Sequence, residues 1–160
     1  MRITIIGNSG SGKSTLARRL AAQHGVAVLE LDAIVWEPEK IAVARPNEAV
    51  LADLDRFFAE HNGWIIEGCY GELAEYSLRH APELIFLNPG AEVCRANNLR
   101  RPWEPHKYAT AEAQDAILAA LLEWVDAYYT RTDGWSLSYH RRLYASYGGT
   151  KSEITGSVEA

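Results

Sequence analysis

Ile3-Thr4-Ile5-Ile6-Gly7-Asn8-Ser9-Gly10-Ser11-Gly12-Lys13-Ser14-Thr15 is the stretch on which the fold turns. Its first four residues are a short β-branched, apolar run, the composition of a buried strand. The next eight satisfy G-x-x-x-x-G-K-[ST] at every fixed position, Gly7, Gly12, Lys13 and Ser14. Leu16, Ala17, Leu20 and Ala21 then recur on one helical face, and Gly25 is placed to stop that helix. Strand, glycine loop and helix together make a cradle of backbone N–H groups at a helix N-terminus, which suits the phosphates of a nucleotide. Within it Gly7, Asn8, Ser9, Gly10, Ser11 and Gly12 shape the loop. Lys13 supplies mobile positive charge, and Ser14, followed by Thr15, offers a hydroxyl to Mg²⁺. A dinucleotide-type G-x-G-x-x-G beginning at Gly10 fails, because Thr15 stands where its third glycine belongs.

Outward from this motif the chain alternates. Val26 to Leu31 reads as a second strand, and Pro46 opens a helix with Val50, Leu51, Leu54, Phe57 and Phe58 on its apolar face. Asn62-Gly63 ends it, and Trp64-Ile65-Ile66 is a third strand. A short helical piece around Leu73 to Leu78 precedes Pro82, and Leu84-Ile85-Phe86-Leu87 is a fourth strand. The pattern predicts a three-layer α/β fold of the P-loop NTPase type: a parallel sheet of four to five strands with helices on both faces, and a small lid. In such a sheet ligands gather at the carboxyl ends of the strands, which groups Gly7, Asp32, Glu67 and Asn88.

Beyond Arg95 the pattern changes. Residues 95–109 hold Arg95, Arg100 and Arg101 and then Pro102-Trp103-Glu104-Pro105, and read as a mobile lid. Thr110 is placed to cap a long helix with Ile117, Leu118, Leu121, Leu122, Val125 and Tyr128 as its stripe, ending at Thr132-Asp133-Gly134. Trp135 to Tyr139 is the best available fifth strand, Tyr139 to Tyr144 has helical character, and residues 150–160 read as weakly ordered. The 160 residues are expected to form one domain.

A net charge of −5 argues against a broad nucleic-acid surface and favours a small-molecule or nucleotide acceptor. With no apolar run of spanning length and a strand beginning at once after Met1, the reading is a cytoplasmic protein without membrane contact. Two cysteines without C-x-x-C spacing, and five scattered histidines, favour reduced thiols and no zinc site. The spacing leaves the oligomeric state open.

Carboxylates at strand ends decide what the cradle does. Asp32 is placed to take the proton of an acceptor hydroxyl or to hold Mg²⁺ through water, and an N-cap role competes with this. Glu67 closes an apolar strand, as in a Walker B segment, and is the candidate beside Mg²⁺. Arg100 and Arg101 are placed to neutralise charge on the transferred phosphoryl group. Trp36 and Tyr70 are read as lining the acceptor pocket. Arg45 and Arg79 are candidates for an anionic acceptor, with surface salt bridges as the competing explanation.

Gly7 to Thr15, Leu31-Asp32-Ala33-Ile34-Val35-Trp36 and Trp64-Ile65-Ile66-Glu67-Gly68-Cys69-Tyr70 together resemble the adenylate-kinase-like and shikimate-kinase-like P-loop kinases, most of all the bacterial topology-modulation proteins. The resemblance runs to about residue 130. It implies a five-stranded parallel sheet, an ATP and Mg²⁺ site with GTP as an alternative donor, a lid with arginines, and phosphoryl transfer to a small acceptor. Shikimate kinases carry a glycine triplet after the third strand, and Glu67-Gly68-Cys69-Tyr70 replaces it here, which argues against shikimate as the acceptor. The rivals are a nucleotide-binding regulator with slow ATPase activity and a polynucleotide 5′-hydroxyl kinase.

Overall fold

The structure is a computed structural model that describes residues 1–38, 40, 42–105 and 107–158. Its frame is a five-stranded, all-parallel sheet in the order β2-β3-β1-β4-β5. The strands are β1 (Arg2–Gly7), β2 (Ala27–Glu30), β3 (Trp64–Gly68), β4 (Glu83–Leu87) and β5 (Lys151–Ile154). Helices α1 (Lys13–His24), α2 (Asp32–Val35), α3 (Asn47–Glu60), α4 (Gly71–Ser77), α5 (Ala91–Leu99), α6 (Ala111–Ala116), α7 (Leu118–Ala127) and α8 (Leu137–Ser146) connect and flank them.

The three inner strands, β1, β3 and β4, are largely apolar because both faces of the sheet are covered. Ile3 and Ile5 of β1, Ile65 of β3, and Ile85 and Leu87 of β4 meet Leu16 and Ala17 of α1. On the opposite face Trp64 and Ile66 pack with Val50, Leu54 and Phe58 of α3, and Ile6, Leu84 and Phe86 pack with Ala74 of α4 and Leu143 of α8. A fully buried aromatic or branched side chain contributes about 1.5–3 kcal/mol through removal from water, so these two layers dominate stability. β1 is central, between β3 and β4, with Ile5 level with Glu67 and Gly7 level with Leu87. That register brings the P-loop and the carboxyl end of β3 to the same height.

Four expectations are corrected here. The fifth strand is Lys151–Ile154, and Trp135 to Tyr139 instead enters α8, where the Ser136 hydroxyl accepts the Tyr139 N–H at 3.1 Å. β5 pairs on one side only, so it carries Lys151 and Glu153 rather than an apolar run, a charge pattern that protects a free edge. Consequently the 150–160 segment is no loose tail: beyond the strand, Val158 packs on the α1 layer, and residues 159–160 of it lie outside the described residues. The long helix expected from Thr110 breaks at Ile117 into α6 and α7 and stops at Ala127. Residues 95–99 belong to α5, so the irregular segment begins at Arg100; His106 within it lies outside the described residues.

Candidate functional site

The loop from Gly7 to Lys13 wraps the start of α1. Gly10 sits at φ 77°, and a Cβ there would strike the Cys94 carbonyl and the Asn98 amide, so shape as well as backbone angle requires glycine. The loop is gripped from α5: Asn97 Nδ2 donates to the Gly10 carbonyl at 2.9 Å, and the Ser9 hydroxyl donates to Asn98 Oδ1 at 3.1 Å. It is gripped from α7 as well, where the buried Asn8 donates its amide to the Val125 carbonyl at 2.9 Å. Asn97 and Asn98 escaped the sequence reading. Their signal was a pair of adjacent amides, separated by Leu99 from the arginine pair.

Lys13 is buried, and its ammonium donates to the Asn8 carbonyl at 2.8 Å. The Ser14 hydroxyl donates to Glu67 Oε1 at 2.6 Å. Burial strips water from the Glu67 carboxylate and raises its pKa, an effect that the Lys13 charge and the Ser14 hydrogen bond only partly oppose. Glu30, its register partner on β2, pushes in the same direction as burial.

These residues fit a magnesium-bound phosphate chain. The Ser11 hydroxyl is buried in the loop without a hydrogen-bond partner among the described residues, a donor that anionic oxygens would satisfy. Ser14 and Glu67 form a hydroxyl and carboxylate pair of hard oxygens suited to Mg²⁺. Among the described residues no group of three His, Cys, Asp or Glu side chains forms a complete metal cage.

On the other side of the crevice Asp32 is the first residue of α2, and the N-cap position falls to Leu31. Its carboxylate accepts a hydrogen bond from the Tyr70 hydroxyl, which in turn accepts the Trp36 indole N–H at 2.8 Å. Tyr70 is buried, and desolvation, reinforced by Asp32, raises its phenol pKa far above the ordinary value, so it acts only as a neutral donor. Tyr70 thus links Trp36 to Asp32.

The cation that reaches Asp32 is Lys107, 3.5 Å from Oδ2 and equally far from Glu104 Oε1. Burial works against its charge, but the Asp32 and Glu104 carboxylates outweigh this and raise its pKa. Arg101 pairs with Glu104 at 3.5 Å, Arg100 donates to the Ala96 carbonyl of its own helix, and Arg95 pairs with Asp126. The 100–110 segment is braced by Gln114, which accepts the Glu104 N–H at 2.9 Å and donates to the Pro102 carbonyl at 3.1 Å.

Arg79 lies elsewhere than expected, and Arg45, on the acceptor side, is already paired. Arg79 stacks 3.8 Å over the Tyr76 ring and pairs with Asp55, beside His80, whose carbonyl accepts from Arg2 at the amino end of β1. That is the end of the sheet opposite Gly7, so Arg79 takes no part in the crevice. Arg45 is committed to the Ile34 carbonyl and Asp53, both at 2.7 Å, where it ties α2 to α3. Cys69, next to Tyr70, has its thiol pushed up to about 12 by burial, which leaves it without nucleophilic character.

A parallel sheet in this order with a glycine loop over a buried lysine defines the class: a P-loop NTPase with the kinase-like topology. A family model described as "AAA domain" matches residues 3–119, and the chain belongs to that family. The fold is similar to that of shikimate kinase from Acinetobacter baumannii in complex with shikimate, with TM-score 0.53 and 18% identity over 99% of this chain and 85% of that one. It is also similar to a sugar kinase from Janibacter sp., with TM-score 0.51 and 20% identity over 96% and 83% of the two chains. In sequence, 60 residues are 37% identical to a tRNA dimethylallyltransferase of Rhizobium meliloti, covering 37% of this chain. The match spans only 20% of that relative's length.

Proposed function

We propose that this protein is a phosphotransferase, moving the terminal phosphoryl group of ATP, or of GTP, to the hydroxyl of a small acceptor. The observation that carries the reading is the placement of Lys13, the Ser14 and Glu67 pair, and Asp32 around one crevice formed by the ends of β1, β3 and β2. The P-loop amides and Lys13 bind the donor phosphates. Ser14 and Glu67 would hold Mg²⁺, which when bound would neutralise charge on the phosphate oxygens. Asp32, fixed by Tyr70, orients the acceptor hydroxyl and takes its proton as the new P–O bond forms and the bond to the leaving diphosphate breaks.

Lys107, borne on the 100–110 segment as a lid, brings positive charge to the same point; Arg100 and Arg101 serve from the hinge beside it. The particular resemblance to topology-modulation proteins belongs to this same reading. A net charge of −5 favours a small acceptor over a nucleic acid. No helix among the described residues is long and apolar enough to cross a membrane.

The test follows label from the γ-phosphate of ATP and of GTP, with Mg²⁺, into a pool of hydroxyl compounds, nucleosides and a 5′-hydroxyl oligonucleotide. Lys13→Ala should lower transfer at least about a hundredfold with the fold intact. Equal transfer by the variant would sink the assignment. Label recovered only as inorganic phosphate would point instead to a nucleotide-dependent regulator with slow ATPase activity.

A further inference from the structure

Resting on the phosphotransferase reading, the charges around the acceptor side say what kind of acceptor it takes. A cavity of about 290 Å³ lies between the start of α3, the start of α4 and the turn ahead of α8, walled by Val35, Arg45, Val50, Tyr70, Glu72 and Trp135. Its volume suits a compound no larger than a monosaccharide. It adjoins the phosphoryl-transfer crevice through two shared elements. Val35 is one turn of α2 beyond Asp32, and Tyr70 faces the cavity while its hydroxyl donates to Asp32.

The positive charges bordering this cavity are already used. Arg45 is spent on Asp53 and the Ile34 carbonyl. Arg131, which flanks the Asp133 turn, stacks 4.4 Å over Trp124, pairs with Asp133 at 3.4 Å and donates to the Trp135 carbonyl at 2.8 Å. Lys107 faces Asp32 and Glu104. The first amide of α4, on Gly71, donates to the Gly134 carbonyl at 2.8 Å and is closed to an anion. The groups left over have the opposite character. Glu72 is exposed on the wall without a hydrogen bond or ion pair among the described residues, whereas Asp133, also on the wall, is held by Arg131 and by the Trp135 N–H at 3.0 Å. Two aromatic rings, Tyr70 and Trp135, stand edge to face with centroids 6.3 Å apart, and Trp135 is 37% exposed. An incoming phosphate or carboxylate would meet uncompensated negative charge here, whereas an ammonium group would meet a free carboxylate and an aromatic face.

We infer that the acceptor is a small hydroxyl compound carrying an amine, of the amino-sugar or amino-alcohol class, seated in this cavity with its ammonium toward Glu72 and Trp135 and its reactive hydroxyl toward Asp32. Nucleoside monophosphates and sugar acids are excluded by the same charges. The step itself is balanced as above: the acceptor oxygen takes the phosphoryl group, its proton goes to Asp32, and the nucleoside diphosphate leaves.

The test measures equilibrium binding of four probes of one skeleton, glucosamine, glucose, gluconate and glucose 6-phosphate, to the protein loaded with Mg²⁺ and a non-hydrolysable ATP analogue. The Trp135 indole N–H signal in NMR is the reporter. Glucosamine should bind roughly five- to tenfold more tightly than glucose and more tightly still than the two anions, and Glu72→Gln should erase its advantage over glucose. Equal or tighter binding of gluconate or glucose 6-phosphate, an unchanged preference in Glu72→Gln, or no shift at Trp135 with any probe at millimolar concentration would each overturn the inference. Nucleotide binding in the same samples, and its loss in Lys13→Ala, reports separately on the phosphotransferase reading.

Discussion

Tyr70→Phe removes one oxygen atom from the junction that holds Asp32, and the structure says what that costs. The hydroxyl donates to the Asp32 carboxylate and accepts the Trp36 indole N–H at 2.8 Å. A hydrogen bond to a charged group contributes about 1.5–3 kcal/mol, and an indole N–H left without a partner in a half-buried position adds a desolvation cost of about 1 kcal/mol or more. Because water reaches part of this site, the two are not fully additive, and a net loss of about 2–4 kcal/mol is expected. For a chain of 160 residues that corresponds to a fall of about 4–16 °C in the thermal midpoint.

Nucleotide binding should survive, since the contacts of Lys13 and Ser14 run to Asn8 and Glu67 and none passes through Tyr70. Urea melts at neutral pH and calorimetric titration with Mg²⁺ and an ATP analogue read the two effects separately. Tyr76→Phe is the control, because that hydroxyl bonds Asp55 on the exposed surface and should cost about 0.5 kcal/mol or less. A Tyr70→Phe protein as stable as wild type, or one whose nucleotide affinity falls in step with its stability, would refute the hub.

Lys107→Met should lower kcat about ten- to a hundredfold while changing stability by less than about 1 kcal/mol, since its ion pairs at 3.5 Å are partly exposed. Steady-state kinetics that show a change in KM alone would contradict a role in transfer. Gly10→Ala should destabilise by about 2 kcal/mol or more, because strain at φ 77° adds to the clash with the Cys94 carbonyl, whereas Gly25→Ala, at φ 65° in open space, should cost about 1 kcal/mol. Chemical denaturation of the pair separates angle from crowding.

His140 is buried, and desolvation lowers its pKa to about 4 despite the hydrogen bond with the Cys69 carbonyl. The unfolded chain therefore binds this proton more readily, so the contribution of His140 to stability is complete above about pH 6.5 and is lost as pH falls toward 4, to an extent of about 3 kcal/mol. An NMR titration in which the His140 ring protonates near pH 6.5 in the folded protein would dismiss this. Glu67, whose pKa is raised chiefly by burial, should place the acid limb of kcat/KM for the magnesium nucleotide above the ordinary glutamate value. A pH profile that is flat down to that value would contradict a role for ionised Glu67.

Much of this protein was legible as a string of residues because its information is local. A β-branched run followed by G-x-x-x-x-G-K-S specifies a strand, a loop and a helix start within some twenty residues, and both faces of a buried parallel strand demand the same apolar composition. The positions of Asp32 and Glu67 followed from their places at strand ends. β5 was hidden because an edge strand pairs on one side and keeps a polar alternation, which in sequence cannot be told from a loop. The break at Ile117 was hidden because the half-buried stripe on either side keeps helical spacing.

What only the tertiary structure decided is which charges are free. Four cations, Arg45, Arg79, Arg101 and Lys107, look alike in sequence as partners for an anion. Folding assigns Arg45 to Asp53, Arg79 to the far end of the sheet, Arg101 to Glu104, and Lys107 to Asp32. Those pairings join residues up to 75 positions apart and depend on how α3, α4 and the 100–110 segment sit against the sheet. A charge's partner is a property of distance in space, and sequence spacing reports that distance only within a single helix or strand.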